Sequence, residues 1–209
     1  MPKIDDLIGV GRYLEALRLV TSTASARPPD EASWRTLWAE LAQYTGRDEE
    51  AIAQGQMVLA ARPPDQSLRA RCHIAIGEVH RNAGNPYAAM EEYRQAAVEA
   101  ETSGDHRLRA IAELRILLAL ADGPGLSTAA AYVPTVRRYV ARAGNTLVSC
   151  ALHMYLGQIE AQRGLLDNAR EHIRIGRSLQ GGSEQHYFAG VAAVDASCLA
   201  FSLSDLDTT

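Results

Sequence analysis

Two pairs of cysteine and histidine are the side chains in this sequence best suited to bind a metal ion: Cys72 with His73, and Cys150 with His153. Thiolate sulfur and imidazole nitrogen are the ligands that Zn²⁺ prefers, but they must converge on one point. The sequence contains a helical repeat of about 40 residues, and His73 and His153 hold the same position in units that are two repeats apart. At about 10 Å for each stacked helix layer, these two side chains are roughly 20 Å from each other. We therefore predict no metal site and no cofactor, and expect these side chains to pack between helices.

Glycine-rich segments offer no catalytic signature either. Gly9-Val10-Gly11 lacks the preceding strand and the third glycine of a dinucleotide-binding loop. No loop ends in Gly-Lys-Ser or Gly-Lys-Thr, and Gly125-Leu126-Ser127 does not form a nucleophile elbow. With no set of residues in catalytic roles, the sequence predicts a protein that is not an enzyme.

Charge and composition limit the remaining classes of function. The net charge is −4, so no overall basic field would attract nucleic acid directly. The first residues are acidic where a signal peptide is basic and then apolar, and no apolar run reaches about 18 residues, so we expect neither secretion nor a membrane span. Three cysteines, an odd number, are consistent with reduced thiols in the cytoplasm.

The sequence predicts α-helices, and any functional site in this chain would have to lie on them. Hydrophobic residues make up 47% of the chain and aromatic residues 6%, with Ala and Leu recurring throughout, a mixture that favours α-helix. The pentapeptide at 26–30, Ala-Arg-Pro-Pro-Asp, returns at 61–65, where Pro-Pro ends one helix and Asp begins the next. A turn glycine also recurs every 35 to 41 residues, followed five residues later by alanine: Gly11 and Ala16, Gly46 and Ala51, Gly84 and Ala89, Gly125 and Ala130, Gly164 and Ala169.

Two segments carry a closer resemblance. Ile76-Gly77, Gly84, Ala89, Tyr93 and Ala96 follow the pattern of the tetratricopeptide repeat family, and Leu156-Gly157, Gly164, Ala169 and Ile173 repeat it. The resemblance implies an all-α, right-handed superhelix of antiparallel helix pairs, about five pairs plus an unpaired C-terminal helix. Departures from the pattern are His80 and Glu160 in place of Tyr, Leu118 in place of a small residue, and a later spacing of about 40 residues. The longer repeat is similar to arrays in bacterial signalling and transcription regulators.

The whole chain, 1–209, is predicted to be one domain of units 1–30, 31–65, 66–104, 105–145, 146–182 and an incomplete 183–209. The expected helices are a stub near 4–10 and then 12–26, 31–44, 47–61, 66–82, 86–102, 105–121, 127–143, 146–163, 165–180 and 183–203. Pro134 is expected to kink or restart the eighth of these helices. Because natural arrays end in a polar capping helix, the apolar last helix suggests either a fragment of a longer protein or a surface for self-association.

Partner binding is what the resemblance implies, through the concave face that the first helices of the pairs line. The residues carried over to that face are Glu40, Gln43, Tyr44, Arg71, Glu78, Arg81, Asn82, Arg115, Asp122, Gln158 and Gln162, together with Ser33, Thr36, Ile74 and Met154. The sequence thus predicts a non-catalytic module that binds a protein or peptide in this groove. The alternative is a sensory or autoinhibitory arm of a larger bacterial regulator that is truncated here.

Overall fold

A computed structural model describes residues 4–9, 11–23 and 30–180 of the chain. Ten α-helices lie in these segments: α1 (Ile4–Gly9), α2 (Tyr13–Thr23), α3 (Glu31–Tyr44), α4 (Asp48–Ala61), α5 (Gln66–Asn82), α6 (Pro86–Ser103), α7 (His106–Asp122), α8 (Leu126–Ala143), α9 (Thr146–Gln162) and α10 (Leu166–Gln180). Consecutive helices form five antiparallel pairs, as predicted, and α3 to α10 begin and end within about two residues of the predicted bounds. The expected last helix, 183–203, lies outside the described residues.

Short polar side chains begin most of these helices. The side chains of Asp30, Asp65, Asn85, Asp105 and Asn145 each accept a hydrogen bond from a backbone N–H in the first turn of the helix that follows. Such caps satisfy backbone donors that have no partner inside the helix. The capping role predicted for the aspartate of the repeated pentapeptide is therefore confirmed in both copies. Residues 26–29 of the first copy lie outside the described residues.

Glycine allows the tight turn inside each pair. Gly11, Gly46, Gly84, Gly125 and Gly164 all have positive φ, between 70° and 110°, which is the conformation that glycine adopts without steric cost. Gly104 and Gly144, which the sequence analysis did not use, do the same between pairs. At the junction between α4 and α5 the left-handed residue is Arg62, so this junction alone among the described ones places a residue with a side chain at positive φ.

The Gly84 turn gives a first prediction. A Cβ atom at this position would meet nothing within 4 Å, so the cost of Gly84→Ala comes from the backbone alone, at about 1–2 kcal/mol. Urea unfolding followed by circular dichroism measures it. Gly84→Asn should lose less, because asparagine tolerates the left-handed region better. A Gly84→Ala protein as stable as the wild type would contradict the assignment.

The fourth pair is shifted by one residue from the predicted register. Gly125 is itself the residue that precedes α8. Its N–H bonds to the Leu120 carbonyl, just as the N–H of Asn85, the residue that precedes α6, bonds to the His80 carbonyl. Consequently Ala129, not the predicted Ala130, is the fully buried alanine in the first turn of α8. In α7, the residue that stands in place of the small residue of the family pattern is likewise Leu117, not the predicted Leu118. The reason is Pro124, which occupies the usual glycine position.

Pro134 does not restart α8, which runs unbroken from Leu126 to Ala143. Of the two outcomes predicted for Pro134, the restart is therefore wrong, and the kink stays a prediction. The proline is exposed, and an exposed position lets solvent reach the carbonyl that proline leaves without a donor.

Stacking of the pairs defines an inner and an outer layer. The first helices of successive pairs touch one another, α3 with α5, α5 with α7 and α7 with α9. Within the described ranges, the second helices α4, α6, α8 and α10 touch only first helices. The first helices therefore lie closer together and form the concave side of a superhelix. The largest apolar cluster runs through α5 to α9 and includes Tyr93, Leu114, Leu117 and Leu156.

Candidate functional site

A cleft of about 480 Å³ opens on the concave side, and every wall comes from a first helix or from the turn before one. Its lining residues are Asp5, Ile8, Leu37, Glu40, Leu41, Gln43, Tyr44, Ser67, Arg71, Ile74, Ala75, Asp105, Arg107, Leu108, Ile111 and Arg115. The volume falls in the range of known ligand sites, about 300–1,000 Å³. Successive helices thus build one shared cavity from α1, α3, α5 and α7.

The floor of this cleft is apolar. Leu41 is 2% exposed and Leu108 9% exposed, and Leu37, Ile74 and Ile111 are half-buried beside them. These side chains recur on one face of each helix and continue into the packed cores of their pairs. The floor is therefore rigid, since packed interiors do not readily rearrange.

An ion pair bridges α3 and α5 at the rim. Arg71 donates from Nε to Glu40 Oε1 at 2.7 Å and from Nη2 to Glu40 Oε2 at 2.5 Å. This two-bond geometry fixes both planar groups and is the strong form of the guanidinium–carboxylate pair. Next to it, the Tyr44 ring stacks on Tyr13 with 5.2 Å between centroids. Glu40, Tyr44 and Arg71 therefore present a preorganised rim.

A second ionic cluster lies beneath the rim and joins three pairs. Arg115 of α7 places Nε 3.1 Å from Glu78 Oε1 of α5 and donates from Nη1 to the Tyr155 hydroxyl of α9 at 3.0 Å. Tyr93 of α6 donates its hydroxyl to Glu78 Oε1 at 2.6 Å. Arg81 approaches the other oxygen of Glu78 at 3.4 Å. The cluster links α5, α6, α7 and α9 through hydrogen bonds that converge on one carboxylate.

Burial and charge act against each other in this cluster. Burial opposes ionisation of Glu78, yet the facing charges of Arg115 and Arg81 and the Tyr93 hydroxyl prevail and lower the pKa of the carboxyl group. Burial likewise opposes the charge of Arg115, while Glu78 raises its pKa well above the ordinary value. The pair therefore stays charged inside the protein.

The predicted groove residues separate into three groups. Glu40, Gln43, Tyr44, Arg71 and Arg115 line the cleft. Glu78 is 4% exposed and Arg115 6% exposed, so Glu78 serves the interior of the fold, and Arg115 reaches the cleft only with the edge of its side chain. Arg81 pairs with Glu78 and with Asp122 Oδ2 at 3.5 Å, close to this cluster.

The third group lies outside the cleft. Asn82, Gln158 and Gln162 do not line it, because the cleft uses the N-terminal halves of α5 and α7 and no part of α9. Two further positions are corrections: Thr36 is fully buried and donates its hydroxyl to the Ala32 carbonyl at 2.8 Å, and Met154 is 3% exposed. Both point into the core between helices instead of into the groove.

Several cleft residues escaped the sequence analysis. Asp5 and Ile8 come from α1, whose short pattern offered too few residues to fix a phase. Ser67, Asp105 and Arg107 lie at the starts of α5 and α7, and the resemblance used for the groove emphasised positions further along each helix. The apolar floor had a usable signal, because Leu37 and Leu41 lie one helical turn apart on one face of α3. Ile74 of α5 was already among the residues carried over to the concave face.

The cysteine and histidine residues do not gather into one site. Cys72 and Cys150 are free thiols in buried positions, and burial raises the pKa of Cys72 to about 11. His73 Nδ1 lies 2.7 Å from Glu92 Oε2, and His153 Nδ1 lies 3.0 Å from His172 Nδ1. Over residues 4–9, 11–23 and 30–180, no group of three or more metal-binding side chains comes together.

The histidine pair gives a second prediction. Because the two Nδ1 atoms face each other, one ring must donate and the other accept. Burial lowers the pKa of both rings. The charge of His172 and then that of Arg137 lower the pKa of His153 further, and the charge of Arg137 also lowers the pKa of His172. Glu171 and Glu160 oppose this effect. A folded pKa below the unfolded value of about 6.5 means that the contribution to stability is present above that pH and is lost as the pH falls below it.

Urea unfolding at pH 8 and pH 5.5 measures this loss. The chain itself offers the control, because the pair in the same position two repeats earlier is His73 with Glu92. His172→Glu puts a carboxylate beside His153, which favours the charged imidazole, so the acid-induced loss should shrink or reverse. An unchanged difference between the two pH values would rule out the His153–His172 pair as its source.

Similarity to known proteins lies at the level of structure. No protein-family profile and no curated protein sequence matches the chain. The crystal structure of the apo form of RapI matches with a TM-score of 0.65 and 14% identity, over 86% of this chain and 67% of RapI. A Podospora anserina kinesin light chain candidate with nearly identical TPR-like repeats matches with a TM-score of 0.58 and 15% identity, over 85% of this chain and 91% of that one. A variant of the same protein gives a TM-score of 0.60 at 16% identity.

None of the described helices is long and apolar enough to cross a bilayer.

The pairing of the helices, the positive-φ turn glycines and the stacked concave layer agree with the structural matches. The chain has the tetratricopeptide-type helical repeat fold.

Proposed function

We propose that this protein is a non-catalytic interaction module that binds a segment of a partner protein in the cleft on α1, α3, α5 and α7. The observation that carries the proposal is the cleft itself, which four helices share and whose rim is held in place by the Glu40–Arg71 pair. Preorganised concave surfaces of this kind bind extended or helical segments at low entropic cost.

Further features are consistent with this role. The net charge of −4 makes direct binding of nucleic acid unfavourable. Cys72 and Cys150 are buried free thiols, as expected for a reducing compartment, so we propose that the protein is cytoplasmic. The resemblance of its longer repeat to the arrays of bacterial regulators leads us to propose a bacterial source. Self-association through the last helix would involve residues 183–203, which lie outside the described part of the chain.

A cleft-filling substitution tests the proposal. Ser67 is half-buried in the cleft wall at the start of α5, and Ser67→Trp would occupy the space that a partner needs without disturbing the backbone cap at Asp65. The matched control is Ala131→Trp on the exposed face of α8. Partners cross-linked and identified from the native cell should be lost with Ser67→Trp and kept with Ala131→Trp. Retention of every partner by Ser67→Trp would exclude the cleft as the binding site.

A second candidate is a sensory or autoinhibitory arm of a larger bacterial regulator. It is favoured by the long helices of the third to fifth pairs, 15 to 18 residues each, because longer repeats of this kind resemble the arrays of bacterial signalling and transcription regulators. The reading frame beyond codon 209 tests it. An ATPase or DNA-binding domain encoded there would support this candidate, and a stop codon after one capping helix would remove it.

A further inference from the structure

The charged groups around the cleft are satisfied by the protein itself. The Glu40 carboxylate accepts two hydrogen bonds from Arg71. Arg115 is held by Glu78 and Tyr155, and the Asp105 carboxylate accepts the Leu108 N–H at 2.8 Å. A charged ligand would have to displace one of these partners and leave it unpaired, which is costly in a partly desolvated site.

Two further charges stand at opposite ends of the cleft. Asp5 of α1 and Arg107 of α7 are both exposed. Exposed charges are screened by water and salt over about 8–10 Å, and their opposite signs leave the cleft without a net charge. Charge complementarity therefore selects neither an acidic nor a basic occupant.

The surfaces that remain for a ligand are apolar or neutral. Leu37, Ile74 and Ile111 form a half-buried floor, and Gln43 and Ser67 stand beside it as uncharged hydrogen-bonding groups. An apolar side chain placed on such a floor gains about 25 cal/mol for each Å² that it removes from water. The neutral rim groups can bind the amides of a peptide backbone.

We infer that the occupant of the cleft is a short, uncharged peptide segment with apolar side chains. This inference rests on the proposed function and deepens it by naming the chemistry of the bound segment. The length follows from the apolar floor, which runs from Leu37 of α3 through Ile74 of α5 to Ile111 of α7. From α3 to α7 is two layers of 8–10 Å each, roughly 20 Å, which an extended chain spans in about six residues.

Fluorescence polarisation with labelled hexapeptides tests the inference. The panel consists of peptides acetylated at the N-terminus and amidated at the C-terminus, with an apolar central pair (Leu-Phe), an acidic one (Glu-Glu) or a basic one (Lys-Lys). We expect the apolar peptides to bind at least about tenfold more tightly than both charged sets, a difference of about 1.4 kcal/mol. Their affinity should change less than about twofold between low and physiological salt.

Three variants separate the cleft floor from its charges. Ile74→Glu should weaken the apolar peptides at least about tenfold, and Val98→Glu on the exposed face of α6, where Val98 is 58% exposed, should leave them unchanged. Asp5→Asn combined with Arg107→Gln removes the two exposed charges while the floor and the Glu40–Arg71 pair remain, and should keep their affinity within about twofold. Thermal melts by circular dichroism establish that each variant is folded.

The outcomes distinguish this inference from the proposed function. Tighter binding of acidic or basic peptides than of apolar ones would overturn the inference. So would loss of apolar-peptide binding in the Asp5→Asn/Arg107→Gln variant, or no measurable binding by any peptide of the panel. The proposed function would still stand in each case if Ser67→Trp abolished capture of native partners. Loss of apolar-peptide binding in Ser67→Trp and Ile74→Glu, with retention in Val98→Glu, supports both.

Discussion

Arg115→Ala should destabilise the protein by about 3 kcal/mol, because it removes the closer and more deeply buried of the two cations that face the buried Glu78 carboxylate. Glu78 is 4% exposed, and after the change its nearest basic group is Arg81 at 3.4 Å. The Tyr155 hydroxyl also loses its donor. Domains are stable by only about 5–15 kcal/mol in total, so urea unfolding monitored at 222 nm should show a large shift of the midpoint, or a protein that is partly unfolded at 37 °C.

The matched variant removes both charges. Glu78→Leu combined with Arg115→Met replaces the ion pair by apolar groups of similar length, and such replacements are often close to neutral in stability. The double variant should therefore be more stable than Arg115→Ala, although Tyr93 loses its acceptor. A loss below about 1 kcal/mol in Arg115→Ala would show that the cluster does not carry the contact between α5, α7 and α9.

The sequence predicted the helices accurately because their ends carry strong local signals. Asp65 and Asn85 cap helices through their own side chains, and glycine at positive φ ends them. Neither signal depends on tertiary contacts. The one register error came from Gly125, which has the residue type and positive φ of the series but a different role in the turn, as the cap of α8. A proline at 124 was the local feature that could have revealed the shift.

The site was less predictable, because exposure depends on how the pairs stack. Glu78 and Arg115 lie on the concave side of their helices, as the resemblance implied, yet adjacent helices cover them almost completely. Sequence periodicity places a residue on a face, but it does not give the depth at which the next layer seals that face. Gln158 has on α9 the position that Glu78 has on α5, and Gln162 has that of Asn82, but no part of α9 reaches the cleft. Where along the superhelix a cleft opens is therefore a property of the assembled layers.

Gly77→Leu should destabilise the protein by about 3 kcal/mol through overpacking. A Cβ atom on Gly77 would lie 2.5 Å from Tyr93 Cε1 and 2.7 Å from Cδ1. Tyr93 is fully buried and its hydroxyl is held by Glu78, so the ring has no room to withdraw. Tyr93→Val alone should lose a similar amount, because it empties the space that the ring fills.

The two losses should not add, and the fourth pair of helices shows why. Relative to the cap residues Asn85 and Gly125, Gly77 and Tyr93 occupy the positions that Leu117 and Val133 occupy in α7 and α8. The chain thus already places Leu and Val at these positions of another pair, where both belong to one apolar cluster. Gly77→Leu with Tyr93→Val should lose at least about 1.5 kcal/mol less than the sum of the single variants, a coupling within the range for residues in contact. Tyr93→Phe is the control, because it keeps the ring and so cannot relieve Gly77→Leu. Strictly additive losses in urea unfolding would mean that the two positions do not share one packing space.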